Sequence, residues 1–135
     1  MALTVIWQTI GVEFSFHGFV TDVDLLQMND RFYRDPRCLD MRYRLCDFSA
    51  INGAEKHHHI VQLMADTDKT ATLNMPRQWI ALILPAHLDS GIHQLAQRYC
   101  DAMADSGWSV GVFETRGQAR DWLRAALPTY SSQIP

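Results

Sequence analysis

Three consecutive histidines, His57-His58-His59, are the most conspicuous source of chemistry in the chain, and metal ligation is the chemistry they offer. Their spacing opposes it. Consecutive side chains on a helix point about 100° apart, so adjacent histidines do not close on one ion as an i, i+4 pair does. By helical phase His57 lies near the stripe of Ile60 and Met64, partly buried, and His58 and His59 are solvated. His87 and His93, six apart, share no helical face cleanly, and no metal site is expected. A second group is cationic: Arg31, Arg34, Arg37, Arg42 and Arg44 cluster, yet Asp30, Asp35, Asp40 and Asp47 are interleaved with them. The local excess is about one charge, which reads as a mixed-charge surface; Arg42 and Arg44 with a helix N-terminus form the weak candidate for binding a phosphate or carboxylate.

Nucleophilic catalysis needs a Ser or Cys on a sharp turn with a His and a carboxylate brought to it, and no G-x-S-x-G elbow occurs. Cys46 falls inside an apolar strand, where a thiol is inert packing. Neither G-x-G-x-x-G nor G-x-x-x-x-G-K-[ST] is present, and the acid pairs Asp22/Asp24 and Asp66/Asp68 fall at helix ends, where capping and solvation account for them. The expectation is a non-enzyme without a cofactor.

The elements that must position these residues follow from periodicity. Leu3 to Ile10 is β-rich, and Val12, Phe14 and Phe16 alternate onto one face, so two strands joined near Gly11 form a hairpin. Thr21 and Asp24 have the form of a capping box, and the helix they open carries Val23, Leu25, Leu26, Met28, Phe32 and Tyr33 on its apolar side until Pro36 stops it. Met41 to Phe48 reads as a central strand. Asn52-Gly53 reads as a turn, and Ala54 to Thr67 as a second helix with Ile60, Val61, Leu63 and Met64 inward. Gln78 to Leu84 is a buried strand, followed by a helix on Leu88, Ile92, Leu95, Ala96, Tyr99 and Met103 that Gly107 caps. Trp108 to Phe113 is a short strand, and Thr115 with Gln118 caps a last helix that Pro128 ends. The order ββαβαβαβα predicts a single-domain α/β fold over residues 1–128, a mixed, mostly parallel sheet with covering helices, and a loose tail over 129–135.

With 135 residues, 47% apolar and 20% charged, the chain has the size and balance of one globular core. A net charge of −3 argues against nucleic acid as a partner. The run Trp79–Pro85 is far shorter than the roughly 20 residues that span a bilayer, so no membrane insertion is expected. Three scattered cysteines, and an apolar start whose first basic residue is Arg31, point to a reducing, cytoplasmic setting.

The hairpin entering a capped helix (His17-Gly18-Phe19-Val20-Thr21-Asp22-Val23-Asp24), the central strand closing on Asp47-Phe48-Ser49, and the ending from Phe113-Glu114-Thr115 through Ala119-Arg120-Asp121-Trp122-Leu123 together resemble the SpoIIAA-like group of the STAS superfamily, the fold of bacterial anti-sigma-factor antagonists. The resemblance spans nearly the whole domain. It implies a non-enzymatic regulatory module that binds a protein partner through the stretch from Asp47 to Gly53 and the exposed side of the next helix, with Asp47, Ser49, His57 and His58 as the candidate residues. Phosphoregulated members carry an Asp-Ser-Ser-Gly-like turn, whereas Ile51-Asn52-Gly53-Ala54-Glu55-Lys56 has no hydroxyl; Ser49, just upstream, is the remaining acceptor for a phosphate. Other branches resemble the CRAL–TRIO fold, which implies, as the alternative, a carrier or sensor of a small apolar ligand or lipid in a pocket beside the sheet. An edge strand left to cover makes a homodimer a further expectation.

Overall fold

Alternation along the strands builds the sheet and assigns its faces. The structure, a computed structural model, describes residues 3–135, so Met1 and Ala2 of the expected 1–128 domain lie outside the described residues. Strands β1 (Leu3–Trp7), β2 (Gly11–Val20), β3 (Tyr43–Ala54), β4 (Trp79–Ile83) and β5 (Ser109–Phe113) form one sheet in the order β1-β2-β3-β4-β5. The β1–β2 pair is antiparallel and every later pair is parallel. Helices α1 (Asp22–Arg34), α2 (His58–Ala71), α3 (Ser90–Met103) and α4 (Arg116–Ala126) alternate with the strands, giving ββαβαβαβα. The chain is thus a single α/β domain with a mixed, mostly parallel sheet.

Strands added in sequence order, each by a right-handed crossover, put their connecting helices on one side of the sheet. Val12, Phe14, Phe16, Cys46, Ile80 and Leu82 accordingly point to the layer of α1, α2 and α3, and form the larger core. The alternate residues Tyr43, Leu45, Ala81 and Ile83 point the other way, to Ala119 and Leu123 of α4. Helix starts are fixed locally: Thr21 Oγ1 accepts the Asp24 N–H at 3.2 Å while Asp24 accepts the Thr21 N–H at 2.9 Å, a complete capping box, and Thr115 Oγ1 accepts the Gln118 N–H at 3.2 Å.

Several sequence expectations need correction. Asn52-Gly53 is no turn: β3 runs on to Ala54 because β2 pairs with it as far as Val20↔Ala54, and pairing overrides local turn propensity. The second helix therefore begins at His58, with His57 as its cap residue outside the helix and exposed rather than partly buried. Val23 and Leu63, expected inside, are exposed. Gly107 does not cap α3, which closes at Ala104; it adopts φ 87° in the following turn. The tail expected to be loose forms a 3-10 helix, Pro128–Gln133, and Ile134 is buried against the α4 core, because Leu127 and Ile134 cover its open end.

Candidate functional site

Strand β3 is longer than its neighbour on one side. Its pairing with β4 ends at Asp47↔Ile83, whereas its pairing with β2 continues to Ala54. Residues 48–54 of β3 and 17–20 of β2 therefore extend beyond the β4 end of the sheet as a two-strand ribbon. No described strand pairs with β3 on its β4 side there. Two register shifts, after Ser15 and after Gly18, put an extra β3 residue into each interval, and such bulges turn side chains off the regular alternation. Gly18 takes φ 71° between them, a conformation glycine adopts without penalty. The result is an exposed row of Ser49, Ala50 and Asn52, with Phe19, 54% exposed, lying over Gly53, and Val23 exposed at the start of α1.

The ribbon has a charged side on each face. Toward α4, Asp47 accepts the Ser49 N–H at 2.8 Å and the Arg116 Nη2–H at 2.7 Å. Burial pushes the Asp47 carboxyl upward, but the hydrogen bonds from Ser49 and Arg116 outweigh it, and the group sits below the ordinary carboxylate range. Arg116 also donates to Ser15 Oγ at 3.0 Å and to Glu13, a buried carboxylate that Arg120 reaches as well at 3.1 Å. Toward α1 and α2, His57 Nδ1 lies 2.6 Å from Asp22 Oδ2 and 3.7 Å from Glu55 Oε2. The hydrogen bond to Asp22 raises the His57 pKa above its ordinary 6.5. Asp22, Glu55 and His57 each offer one potential metal donor, all within 4.8 Å of one another; the Asp22–His57 hydrogen bond accounts for the contact without an ion.

The structure thus brings Asp47 and Ser49 together, sets His57 on the other face of the ribbon with Asp22 and Glu55, and leaves His58 apart. His58 lines a shallow groove between α2 and α3 with Gln62, Arg98 and Asp101. Arg42 and Arg44 do not form an exposed anion site. Arg42 precedes β3, and Arg44, on the three-helix face, is only 2% exposed and paired with Asp68 at 3.1 Å, because an even-numbered β3 residue points into that layer. Asp68 in turn accepts from the hydroxyls of Tyr33 and Tyr99. Burial would lower the Arg44 pKa, but Asp68 more than reverses that and the guanidinium is held charged. Cys46, beside it, is pushed up to about 12 by burial and is a thiol, not a nucleophile.

Sequence reasoning missed Arg116, Arg120, Glu13 and Asp68 as site-forming residues. Capping boxes and apolar stripes are local signals, whereas Arg116 reaches Asp47 across a separation of 69 residues and Arg120 reaches Glu13 across 107.

Among solved structures, this fold is similar to that of an uncharacterised protein of the DUF3478 family with a SpoIIAA-like fold from Shewanella loihica PV-4, at a TM-score of 0.55 and 17% sequence identity over 90% of this chain and 92% of that one. No family model and no curated protein matches the chain. The fold is SpoIIAA-like, as the sequence resemblance implied, and no described helix is long and apolar enough to cross a membrane.

Proposed function

We propose that this SpoIIAA-like domain is a non-enzymatic regulatory module that binds a protein partner at the β2–β3 ribbon. The observation that carries the reading is the overrun of β3: among the described residues, 48–54 have no strand neighbour on the β4 side while Ser49, Ala50 and Asn52 are exposed. A strand edge of this kind accepts an extended segment by main-chain hydrogen bonding, and the exposed Phe19 and Val23 supply an apolar contact next to it. Asp47 and Arg116 hold the root of the ribbon, and a phosphate on Ser49 would add negative charge at its exposed face.

The test is a photo-crosslinking amino acid placed at Asn52, with the same group at exposed Asp121 on α4 as control. The expected outcome is a defined adduct from Asn52 alone, weakened at least about tenfold by Phe19→Asp while the melting temperature stays within a few degrees. Equal crosslinking from both positions, or an adduct indifferent to Phe19→Asp, removes the ribbon from the account. A second copy of the chain as the adduct makes the ribbon a self-association face.

A further inference from the structure

His57 is the cap residue of α2, yet its side chain makes no cap hydrogen bond; the ring faces the first turn of α1 and the preceding Glu55 instead. Its Nδ1 lies 2.6 Å from Asp22 Oδ2 and 3.7 Å from Glu55 Oε2. A ring nitrogen carries one proton at most, so the hydrogen bond to Asp22 leaves Glu55 Oε2 beside the same nitrogen with nothing to accept from it. Glu55 is held there through its other oxygen, Oε1, which accepts the Asp22 N–H at 3.3 Å. Asp22 Oδ1 is buried and, among the described residues, accepts no hydrogen bond. Lys56, between Glu55 and His57 in sequence, is paired with Asp89 and does not serve these carboxylates. Two carboxylates from separate elements thus converge on one imidazole nitrogen, with more acceptors than donors.

We propose that Asp22, Glu55 and His57 bind a divalent cation of the zinc class. Donor type, charge and spacing set that class. One imidazole nitrogen with two carboxylate oxygens suits zinc and the later first-row ions, whereas magnesium and calcium take oxygen donors. With His57 neutral, the two carboxylates offset the charge of a divalent ion. Donors on a tetrahedral zinc lie about 3.4 Å apart. The separations of 2.6 and 3.7 Å fall on either side of that value, and all three donors lie within 4.8 Å of one another. The side chains of His57 and Glu55 are 51% and 37% exposed, so the ion enters from solvent and small side-chain rotations close the set, with water in the fourth position. Binding takes the Nδ1 lone pair: the imidazolium form releases its Nδ1 proton to solvent, and the neutral form carries its proton on Nε2. The ion ties the first turn of α1 to the end of β3, next to the exposed Val23.

Zinc chloride is the probe, titrated into the full chain in a non-chelating buffer, with magnesium chloride as the comparison. Calorimetry gives affinity and stoichiometry, and long-range proton–nitrogen spectra of the imidazoles report which ring nitrogen is bound. One zinc per chain is expected, with the His57 Nδ1 resonance moving to that of a metal-bound nitrogen, and magnesium binding is expected to be far weaker. Glu55→Gln and Asp22→Asn should each weaken zinc binding at least about tenfold, whereas His58→Gln should leave it within about twofold. No saturable zinc binding below about 0.1 mM in the unaltered protein overturns the proposal. So does a loss on His58→Gln as large as that on Glu55→Gln, because the ion then rests on the consecutive histidines. Magnesium binding as tight as zinc overturns it too, since the imidazole would then contribute nothing. Should Asp22→Asn fail to fold, Glu55→Gln and the His57 resonance in the unaltered protein decide the matter.

Discussion

Glu13 and Asp47 are carboxylates on the sheet face under α4, and each stays buried because an arginine from α4 comes to it. Removing one partner of such a group leaves the other desolvated, which costs more than the pair gains when intact. Asp47→Asn is therefore expected to destabilise the fold by about 2 kcal/mol at neutral pH, from weakened charge-assisted bonds to Arg116. The pH dependence carries the sign. The folded pKa of Asp47 is lowered, so its stabilisation is complete above the ordinary value of 3.8 and is lost as pH falls through the folded value. Denaturant midpoints of the two proteins should differ most near pH 7 and converge toward pH 2; a gap independent of pH would show that the effect is packing and not charge. The sequence made Asp47 and Ser49 legible as neighbours because they are two residues apart, although β3 continues past both to Ala54. Arg44 was misplaced as a surface cation because the four other arginines of its cluster suggest one, while the partner that makes its burial possible, Asp68, comes from a helix that follows the strand.

At the scale of elements, the hairpin, the capped α1 and the alternation of strands with helices were readable because each rests on short-range chemistry: a Thr hydroxyl three residues from an Asp, a period of two, a Pro. The length of β3 was not, because Asn52-Gly53 has turn chemistry and only pairing with β2 makes it strand. Where two elements meet closely, the sequence shows the small residue but not what lies against it. Gly11 opens β2 directly under the Tyr43 ring at the start of β3, and an added Cβ would lie 2.1 Å from ring carbons. Tyr43 is fully buried and has no free direction in which to yield. Gly11→Ala is expected to cost about 3 kcal/mol through displacement of that ring, whereas alanine at Gly117, where the nearest atom is a Thr115 hydroxyl at 3.9 Å, should be nearly neutral. Equal melting temperatures for the two variants would show that β2 shifts to accommodate the methyl group.

The whole molecule is a sheet with unequal covers: three helices and the larger core on one side, α4 and the smaller core on the other. The smaller side is completed by the residues after α4. Leu127 and Ile134 are buried in that core, and Arg124 Nη2 donates to the Pro135 carbonyl at 2.5 Å, tying the returning segment to the helix it follows. Full burial of an isoleucine is worth roughly 1.5–3 kcal/mol, so deletion of residues 129–135 should lower the unfolding free energy by about 3 kcal/mol. The loss belongs to one layer only. Amide exchange in the deleted protein should accelerate in α4, and much less in α1, α2 and α3, which cover the other face of the sheet. Equal acceleration in all four helices would mean that the two covers unfold together, and the sheet would then be one cooperative unit with no independent stability on its thicker side.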